Sequence, residues 1–348
     1  MNALKPKIKE ESKRRSNGAE VVVITGASAG IGRATAREFA RHGARIALLA
    51  RGLDGLEAAK RDVESIGGTA MIAQTDVADP RQVELAAEKT EAVFGPIDIW
   101  INNAMTSAFS RFDDLSIDEF RRITEVVYLG TVHGTMAALK RMLPRNHGCI
   151  VQVGSALAYR SIPLQSPYCG AKHAVRGFTN SIRSELIHDR SKVHLTMVQL
   201  PGVNTPQFDW VKSHLPRKAK PVGPVYQPEV AAEAIFWAAH QHRREVFVGL
   251  PAVKAIIGNK MFAGALDRYL AHEAVEGQQT QEPRDPNQPD NLWKPLPGDH
   301  GAHGRFDRQA RRFSPQLWAT QHRRWLGLLG LALAAIGFGG LAWRNTRR

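Results

Sequence analysis

The sequence predicts an α/β fold in which helices cover both faces of one parallel sheet, followed by a single C-terminal transmembrane helix. Three observations support this. Short apolar runs alternate with longer amphipathic stretches, a glycine-rich turn follows the first of these runs, and an uncharged stretch lies near the C-terminus. Strands that are buried on both faces are apolar almost throughout, so these runs favour a doubly wound parallel sheet.

Aliphatic and β-branched runs are the predicted strands, at residues 21–25, 45–50, 70–75, 97–101, 149–154, 193–200 and 245–249. Between them, apolar residues recur with the helical period. Examples of the predicted helices are 31–43, 53–67 and 81–95. The first and the last of these end in glycine, which often follows the last helical turn. Strands that alternate with helices in this way predict crossover connections within a parallel sheet.

The first predicted strand leads directly into the stretch TGASAGIGRA, residues 25–34. Gly26, Gly30 and Gly32 allow a tight turn and a close approach of the backbone to a pyrophosphate. The helix that starts here directs its N-terminal amides at the same place, which favours an anion. A glycine-rich turn between a strand and a helix therefore predicts a dinucleotide site on a Rossmann-type sheet.

Composition limits the possible classes of protein. The chain has 348 residues, of which 43% are hydrophobic, so it can bury a sizeable core. Its two cysteines, Cys149 and Cys169, exclude a disulfide framework and favour a reducing compartment. The net charge of +14 suits nucleic acid, an anionic membrane surface or a phosphate-rich cofactor. Basic residues do not interleave with aromatic ones, and no Cys/His spacing suggests a metal, so we expect no nucleic-acid partner and no metal site.

The distribution of charged, apolar and Pro/Gln-rich stretches predicts five regions. They are a basic flexible N-terminal arm (1–18), a Rossmann-type catalytic domain (19–275), a Pro/Gln/Arg-rich linker (276–324), a transmembrane helix (325–343) and a short basic tail (344–348). The linker follows from a composition rich in Gln, Pro and Asp, which buries too little apolar surface to offset the entropy of ordering.

The C-terminal stretch at 325–343 contains no charged residue and is bounded by Trp325 and Trp343. As a helix it would be about 28 Å long, close to the thickness of a bilayer core. The pattern predicts a single-pass membrane anchor with the catalytic domain in the cytoplasm, and a lipid bilayer as a partner. A buried or interfacial helix is the other interpretation of this stretch.

A second motif lies in SPYCGAKHAV, residues 166–175, where Tyr168 precedes Lys172 by four residues. At this spacing the two side chains lie on one face of a helix, one turn apart. An ammonium within reach of a phenol can lower the pKa of the phenol. Taken alone, the pair is more simply two amphipathic side chains on a solvated helix face, and only the surrounding motifs can favour the functional interpretation.

These motifs together resemble those of the short-chain dehydrogenases/reductases. TGASAGIG, NNA (102–104), a strand that ends in Ser155, YCGAK and PGVNT (201–205) occur in the order and spacing of that family. The resemblance covers about residues 19–250. Each motif is weak by itself, but five in register on one α/β pattern form a specific signal.

The resemblance implies a catalytic set of Ser155, Tyr168 and Lys172. Tyr168 matches the tyrosine that exchanges a proton with the substrate's oxygen while the nicotinamide exchanges a hydride with the carbon. An ordinary phenol has a pKa of about 10, so the Lys172 cation is needed to favour the phenolate. Lys172 also matches the lysine that holds the nicotinamide ribose. Ser155 matches the serine that hydrogen-bonds the reacting oxygen.

The expected cofactor is NADP(H). An acidic residue at the end of the second strand would accept hydrogen bonds from the adenosine 2′-hydroxyl, whereas a basic one would pair with a 2′-phosphate, and LLARGLD places Arg51 there. Arg33 could add a second positive charge or could simply be solvated. The residues expected to bind the cofactor are Gly26, Ser28, Gly30, Ile31, Gly32, Arg51, Asp76, Asn102, Tyr168, Lys172 and Thr205.

One position departs from the family pattern. The family usually has an asparagine in the helix before Ser155, where it helps to order a water in the proton relay, and the matching segment VYLGT has Tyr128 instead. His133 lies nearby but is more simply a histidine on a helix face. Beyond PGVNT, the residues Phe208, Trp210 and Leu215 could line an apolar pocket or form the inner face of a short surface helix.

Two classes of function remain. The first is a membrane-tethered NADP(H)-dependent oxidoreductase that interconverts a carbonyl and a secondary alcohol on a small lipophilic substrate, with a second copy of the chain, in a homo-oligomer, as a further candidate partner. The second is an NADP(H)-binding scaffold or redox sensor without turnover. The intact set of Ser155, Tyr168 and Lys172 favours the enzyme, whereas Tyr128 favours the alternative.

Overall fold

The computed structural model describes residues 18–323 together with 325 and 326. In this part of the chain the central element is a seven-stranded parallel sheet. Its strands are β1 (Val21–Thr25), β2 (Arg45–Ala50), β3 (Thr69–Gln74), β4 (Ile99–Asn102), β6 (Cys149–Ser155), β7 (His194–Leu200) and β10 (Glu245–Phe247). Four short strands lie outside it, namely β5 (Ala108–Phe109), β8 (Lys212–Ser213), β9 (Arg217–Ala219) and β11 (Gln279–Pro283).

Helices connect and cover these strands. They are α1 (Gly30–Arg41), α2 (Leu53–Ser65), α3 (Pro80–Phe94), α4 (Ile117–Thr124), α5 (Gly130–Arg145), α6 (Ser166–His188), α7 (Gln207–Trp210), α8 (Pro228–Ala239), α9 (Leu250–Gly277) and α10 (Pro315–Gln321). A five-residue π-helix, Glu125–Leu129, joins α4 to α5. The long helix α9 is kinked at Phe262, whose backbone is not helical.

The strand order is β3-β2-β1-β4-β6-β7-β10, with all neighbours parallel. The chain therefore builds the sheet outward from β1 in one direction and then returns to build it in the other. The reversal places a crevice at the carboxyl ends of β1 and β4, where open α/β sheets bind ligands. This confirms the predicted Rossmann-type sheet.

The core has two halves because alternate residues of each strand face opposite sides of the sheet. In β1, Val22 and Ile24 pack with α1, α2 and α8, whereas Val21 and Val23 pack with α3, α5 and α6. All four side chains are buried. The near-continuous apolar character of the predicted strands follows from burial on both faces.

The segment after α9, predicted to be a linker, lies against the catalytic domain. Strand β11 pairs antiparallel with β9. Further along, Leu292, Ala302, Phe306 and Leu317 are all buried. The segment is poor in apolar residues, but these four are buried where the segment packs on the domain.

The predicted transmembrane helix requires a correction. Among residues 18–323, 325 and 326, no helix is long and apolar enough to cross a membrane. The predicted span 325–343 lies outside the described residues except for Trp325 and Leu326, as do the tail 344–348 and, apart from Gly18, the basic arm 1–18. We therefore remove the transmembrane helix from the fold class, together with the membrane location and the bilayer as a partner.

Candidate active site

The glycine-rich turn after β1 is shaped as a dinucleotide cradle. Gly26 and Gly30 have φ angles of +66° and +57°, which side chains rarely tolerate. A Cβ on Gly32 would lie 2.2 Å from the carbonyl oxygen of Gly26, and one on Gly26 would lie 2.8 Å from the Cα of Ala104. The turn therefore has no room for a side chain at Gly26 or Gly32. A close-packed turn of this kind at the start of α1 fits a nucleotide diphosphate.

Charges at the adenosine end of the crevice are unequal. Asp76 accepts a hydrogen bond of 2.5 Å from Arg122 on α4, so its charge is compensated. Arg51 instead donates to backbone carbonyls, at 3.2 Å to Leu292 and 3.0 Å to Trp293. Burial and the nearby Arg122 lower the pKa of Arg51, while Asp76 opposes them. The guanidinium of Arg51 is thus the uncompensated charge of the group.

Arg33 does not supply the second free charge. It is buried at the start of α1 and forms ion pairs with Asp62 of α2 and Asp299 of the C-terminal segment. Burial alone would lower the pKa of Arg33, but the two carboxylates raise it.

The two asparagines after β4 have different environments. Asn102, expected in the cofactor site, is in the core: its amide donates to Gln152 at 2.9 Å and accepts from Trp100 at 2.9 Å. Asn103 lines the crevice instead and donates to the carbonyl oxygen of Thr25 at 2.9 Å. The motif NNA indicated the right place, but successive residues face opposite ways and only the second reaches the cleft.

The remaining expected residues line the crevice. Ser28, Gly30, Ile31, Arg51, Asp76 and Thr205 surround a groove of about 190 Å³. Beside it lies a cavity of about 600 Å³. Ile31, Asn103 and Thr205 border both spaces, so the groove and the cavity adjoin.

The larger cavity brings together the catalytic set. Ser155 ends β6, and Tyr168 and Lys172 lie one turn apart on α6, so strand and helix direct all three into the same space. Lys172 lies over the ring of Tyr168, with its Nζ 5.6 Å from the centroid. The same ammonium donates to the carbonyl oxygen of Val153 at 2.7 Å. The side chains of Tyr168 and Lys172 therefore lie next to each other, as their spacing in the sequence predicted.

The direction of the Tyr168 pKa differs from the expectation. Burial raises the pKa of the phenol, and a hydrogen bond with Ser155 opposes the shift only partly. Burial also lowers the pKa of Lys172 to about 8. Both shifts have the same cause, because the phenolate of Tyr168 and the ammonium of Lys172 each lose hydration when they are buried. This loss outweighs the attraction between ammonium and phenolate that the spacing of the two residues suggested.

The cavity wall is mainly apolar. Phe208 of α7 contributes, together with Phe109, Leu200, Val203, Leu266 and Leu270. Trp210 lines the nucleotide groove instead and packs edge-on against His300. Leu215 is buried in a small cluster with Phe109 and Leu164. The three candidate pocket residues after PGVNT thus have three different positions.

Tyr128 and His133 lie on the helices beside the site. Tyr128 is in the π-helix and packs in one cluster with Tyr168, its ring edge-on to Phe178. π-helical turns are frequent at functional sites. His133 contacts the carbonyl oxygen of Val77 at 2.9 Å and does not line the cavity, as expected for a histidine on a helix face.

Comparison with known proteins agrees with this geometry. A family model described as short chain dehydrogenase matches residues 20–215. The chain belongs to the short-chain dehydrogenase/reductase family. Members of this family are oxidoreductases, and the fold and the nucleotide crevice described above are therefore those of an oxidoreductase with a nicotinamide cofactor.

Similar short-chain dehydrogenases come from several organisms. The uncharacterized oxidoreductase YxnA of Bacillus subtilis is 30% identical over 345 residues, covering 99% of this chain and 95% of its own. The 3-dehydrosphinganine reductase of Danio rerio is 33% identical, covering 63% and 68%. Among solved structures, an alcohol dehydrogenase from Thermococcus sibiricus complexed with 5-hydroxy-NADP has a TM-score of 0.58 and 28% identity, covering 66% of this chain and 96% of that one.

Proposed function

We propose that this short-chain dehydrogenase is an NADP(H)-dependent reductase of lipophilic ketones or aldehydes, and that it runs in reverse on the corresponding secondary or primary alcohols. The observation that carries the proposal is the position of Ser155, Tyr168 and Lys172 in one apolar cavity that adjoins the nucleotide groove. A carbonyl group in that cavity would have a proton donor beside its oxygen, and its carbon could face a nicotinamide held in the adjoining groove.

The proposed cofactor site uses the residues of the groove. The glycine turn and the first amides of α1 hold the diphosphate, and Arg51 pairs with the 2′-phosphate because a guanidinium binds phosphate by bidentate, charge-assisted hydrogen bonds. Lys172 is placed to hold the nicotinamide ribose. When bound, NADPH supplies the hydride that adds to the carbonyl carbon. The similar alcohol dehydrogenase that holds 5-hydroxy-NADP supports this choice.

Tyr168 is the proposed proton donor. Its raised pKa favours the neutral phenol, which is the form that can donate a proton to a carbonyl oxygen as negative charge develops there. Ser155 donates a hydrogen bond to the same oxygen and so orients it. The ammonium of Lys172 beside the ring stabilises the phenolate that remains, and this interaction is stronger in a water-poor cavity.

The wall of the cavity indicates the class of substrate. Phe109, Phe208, Leu266 and Leu270 offer hydrocarbon and aromatic surface to the part of the molecule that does not react. At about 600 Å³ the cavity lies within the range of drug-sized ligand sites, so the substrate has a sizeable apolar body. The similarity to 3-dehydrosphinganine reductase, an enzyme named for a lipid ketone, is consistent with such a substrate.

A substrate screen tests the proposal. Ketones and aldehydes of increasing apolar size are incubated with the protein and NADPH or NADH, and consumption of the nucleotide is followed by its absorbance. We expect turnover with NADPH that improves with the apolar body until the cavity is filled. Binding of NADPH without turnover of any carbonyl or alcohol would favour the non-catalytic scaffold instead.

A further inference from the structure

The amide of Gly30, at the N-terminus of α1, already has a partner from the C-terminal segment. It donates a hydrogen bond of 3.1 Å to the carbonyl oxygen of Gly301. Amides of the first helical turn have no partner within their own helix, and they are the donors that an anion at this position uses. The carbonyl of Gly301 therefore occupies a donor that the diphosphate of a dinucleotide would need.

We call residues 293–301 the strap. It crosses the mouth of the nucleotide groove, and Pro295, Leu296, Gly298 and His300 form part of the groove's lining. The carbonyl oxygen of Trp293 accepts from Arg51 at 3.0 Å. The strap thus covers both the diphosphate position and the residue expected to choose the nucleotide.

Further contacts hold the strap down. The amide of Gly298 donates to the carboxylate of Asp54 at 2.7 Å. Asp299 is paired with the buried Arg33. On both sides the chain is fixed by buried side chains, Leu292 before the strap and Phe306 after it. A short segment held at both ends, with polar contacts between, can detach without unfolding the rest.

The space left in the groove beneath the strap is small. The groove has a volume of about 190 Å³, whereas pockets for drug-sized ligands start at about 300 Å³. A dinucleotide is larger than most such ligands, and even with its nicotinamide half in the adjoining cavity its adenosine and diphosphate part must fit the groove. Gly298 and Gly301 have positive φ angles of +91° and +66°, so glycines form the bends of the strap.

We propose that the strap is an autoinhibitory lid on the nucleotide groove and that it must lift before NADP(H) can bind. This inference rests on the proposed cofactor. Lifting frees the amide of Gly30 and one contact of Arg51. Phosphate then replaces a neutral carbonyl at the amide of Gly30, where a charge-assisted hydrogen bond is roughly twice as strong as a neutral one, and at Arg51 it replaces a neutral acceptor with an oppositely charged one. Binding therefore proceeds at the expense of the strap contacts, and the apparent affinity is lowered by the fraction of molecules that are closed.

A reversible covalent lock tests this proposal. An ideal Cβ on Gly52 would lie 3.2 Å from the Cβ of Pro295, a few tenths of an ångström below the spacing of about 3.5–4.5 Å that a disulfide spans. The double variant Gly52→Cys/Pro295→Cys should therefore close the strap when oxidised. The native Cys149 and Cys169 are both buried and free, so they do not compete for pairing.

We expect the oxidised double variant to bind NADPH at least about tenfold more weakly than the reduced one, because the open fraction is removed. Formation of the disulfide is checked by mass spectrometry, and closure is checked without nucleotide by slower hydrogen exchange of residues 293–301. The two single variants, treated with the same oxidant, are the matched controls. Equal affinity in the oxidised and reduced double variant would overturn the lid.

The outcome separates this proposal from the proposed cofactor. If the wild type and the reduced variant bind neither NADPH nor NADH, the cofactor assignment fails and the lid fails with it. If both bind but the locked form binds equally well, only the lid is wrong.

A second variant serves if the cysteine pair does not fold. Asp299→Asn weakens the ion pair with Arg33 and should speed both NADPH association and hydrogen exchange in the strap. Glu282→Gln is its control, since Glu282 pairs with Lys218 in the same C-terminal segment away from the groove. Unchanged rates in Asp299→Asn would contradict the lid.

Discussion

The ammonium of Lys172 donates a hydrogen bond of 2.7 Å to the carbonyl oxygen of Val153, and no carboxylate in the described part of the chain forms an ion pair with it. Lys172 is only 4% exposed. A cation that is solvated by a single backbone carbonyl is costly to keep charged, which is why burial lowers the pKa of Lys172 to about 8. The stability of the protein is therefore linked to pH at this residue.

In the protein without nucleotide, Lys172 should contribute a rise in the free energy of unfolding between about pH 8 and 10.5, against an opposing contribution from Cys169, whose thiol has a pKa that burial raises. In this range the unfolded lysine still holds its proton while the folded one has lost it, so the unfolded state binds more protons and the slope is positive. The gain is at most about 3 kcal/mol. Urea denaturation at a series of pH values measures it.

Lys172→Met should remove this rise and should be more stable than the wild type at neutral pH. The partly exposed Lys60, which forms an ion pair with Glu64 on α2, gives the control Lys60→Met, which should keep the rise. Parallel pH profiles for the wild type and Lys172→Met would show that the pKa of Lys172 is not lowered.

Removing the phenol as Tyr168→Phe should reduce turnover by at least about 100-fold, the usual contribution of a general acid or base, and should leave NADPH binding almost unchanged. Single-turnover kinetics and equilibrium binding measure the two effects separately. Tyr159→Phe is the matched control, because Tyr159 lies outside the cavity lining and donates to Glu245. Retained turnover in Tyr168→Phe would exclude the assigned role.

Reversing the charge as Arg51→Asp should reduce the preference for NADPH over NADH. Hydrogen bonds to charged groups contribute about 1.5–3 kcal/mol, so the ratio of affinities should change by roughly 10- to 150-fold. Titration of both nucleotides measures the ratio. Arg121→Asp, at an exposed position of α4, is the control for net charge. A wild type that binds the two nucleotides equally would count against NADP(H) specificity.

Asn102→Ala should destabilise the fold without changing the nucleotide site. The substitution leaves the indole N–H of Trp100 and the amide oxygen of Gln152 without a partner in the core, at a cost of at least about 2 kcal/mol. Thermal unfolding measures the loss, and NADPH titration of the folded protein should be unaffected. A weaker affinity at unchanged stability would place Asn102 in the cofactor site after all.

Local patterns were sufficient to predict the sheet. The predicted strands at 21–25 and 45–50 coincide with β1 and β2, and the other strands of the sheet are shifted by at most two residues at either end. These strands could be predicted because burial on both faces of the sheet requires near-continuous apolar runs, which are visible in the sequence. The convergence of Ser155, Tyr168 and Lys172 was predictable from the family resemblance, because their positions follow from one strand end and one helix face.

Contacts between distant segments were not predictable in this way. The average composition of residues 276–324 indicated a linker. An average does not show that two of the few apolar residues, Leu292 and Phe306, are buried against the domain. Arg51 was predicted to be a nucleotide-binding cation, but its contacts with Leu292 and with Trp293 of the strap are made to backbone carbonyls, which have no sequence signature. The pKa of Tyr168 likewise depends on burial that the spacing alone does not reveal.

The strap also comes late in the chain, after every strand of the sheet. Strand β10 ends at Phe247, well before residue 293, where the strap begins. At the usual speed of translation, about 5–20 residues per second, the sheet leaves the ribosome seconds before the strap does. If the strap is the proposed lid, a nascent molecule presents an uncovered groove, and the order of synthesis gives the nucleotide its first access. A mature molecule that releases its nucleotide would then have to break the contacts with Gly30 and Asp54 before it could be reloaded.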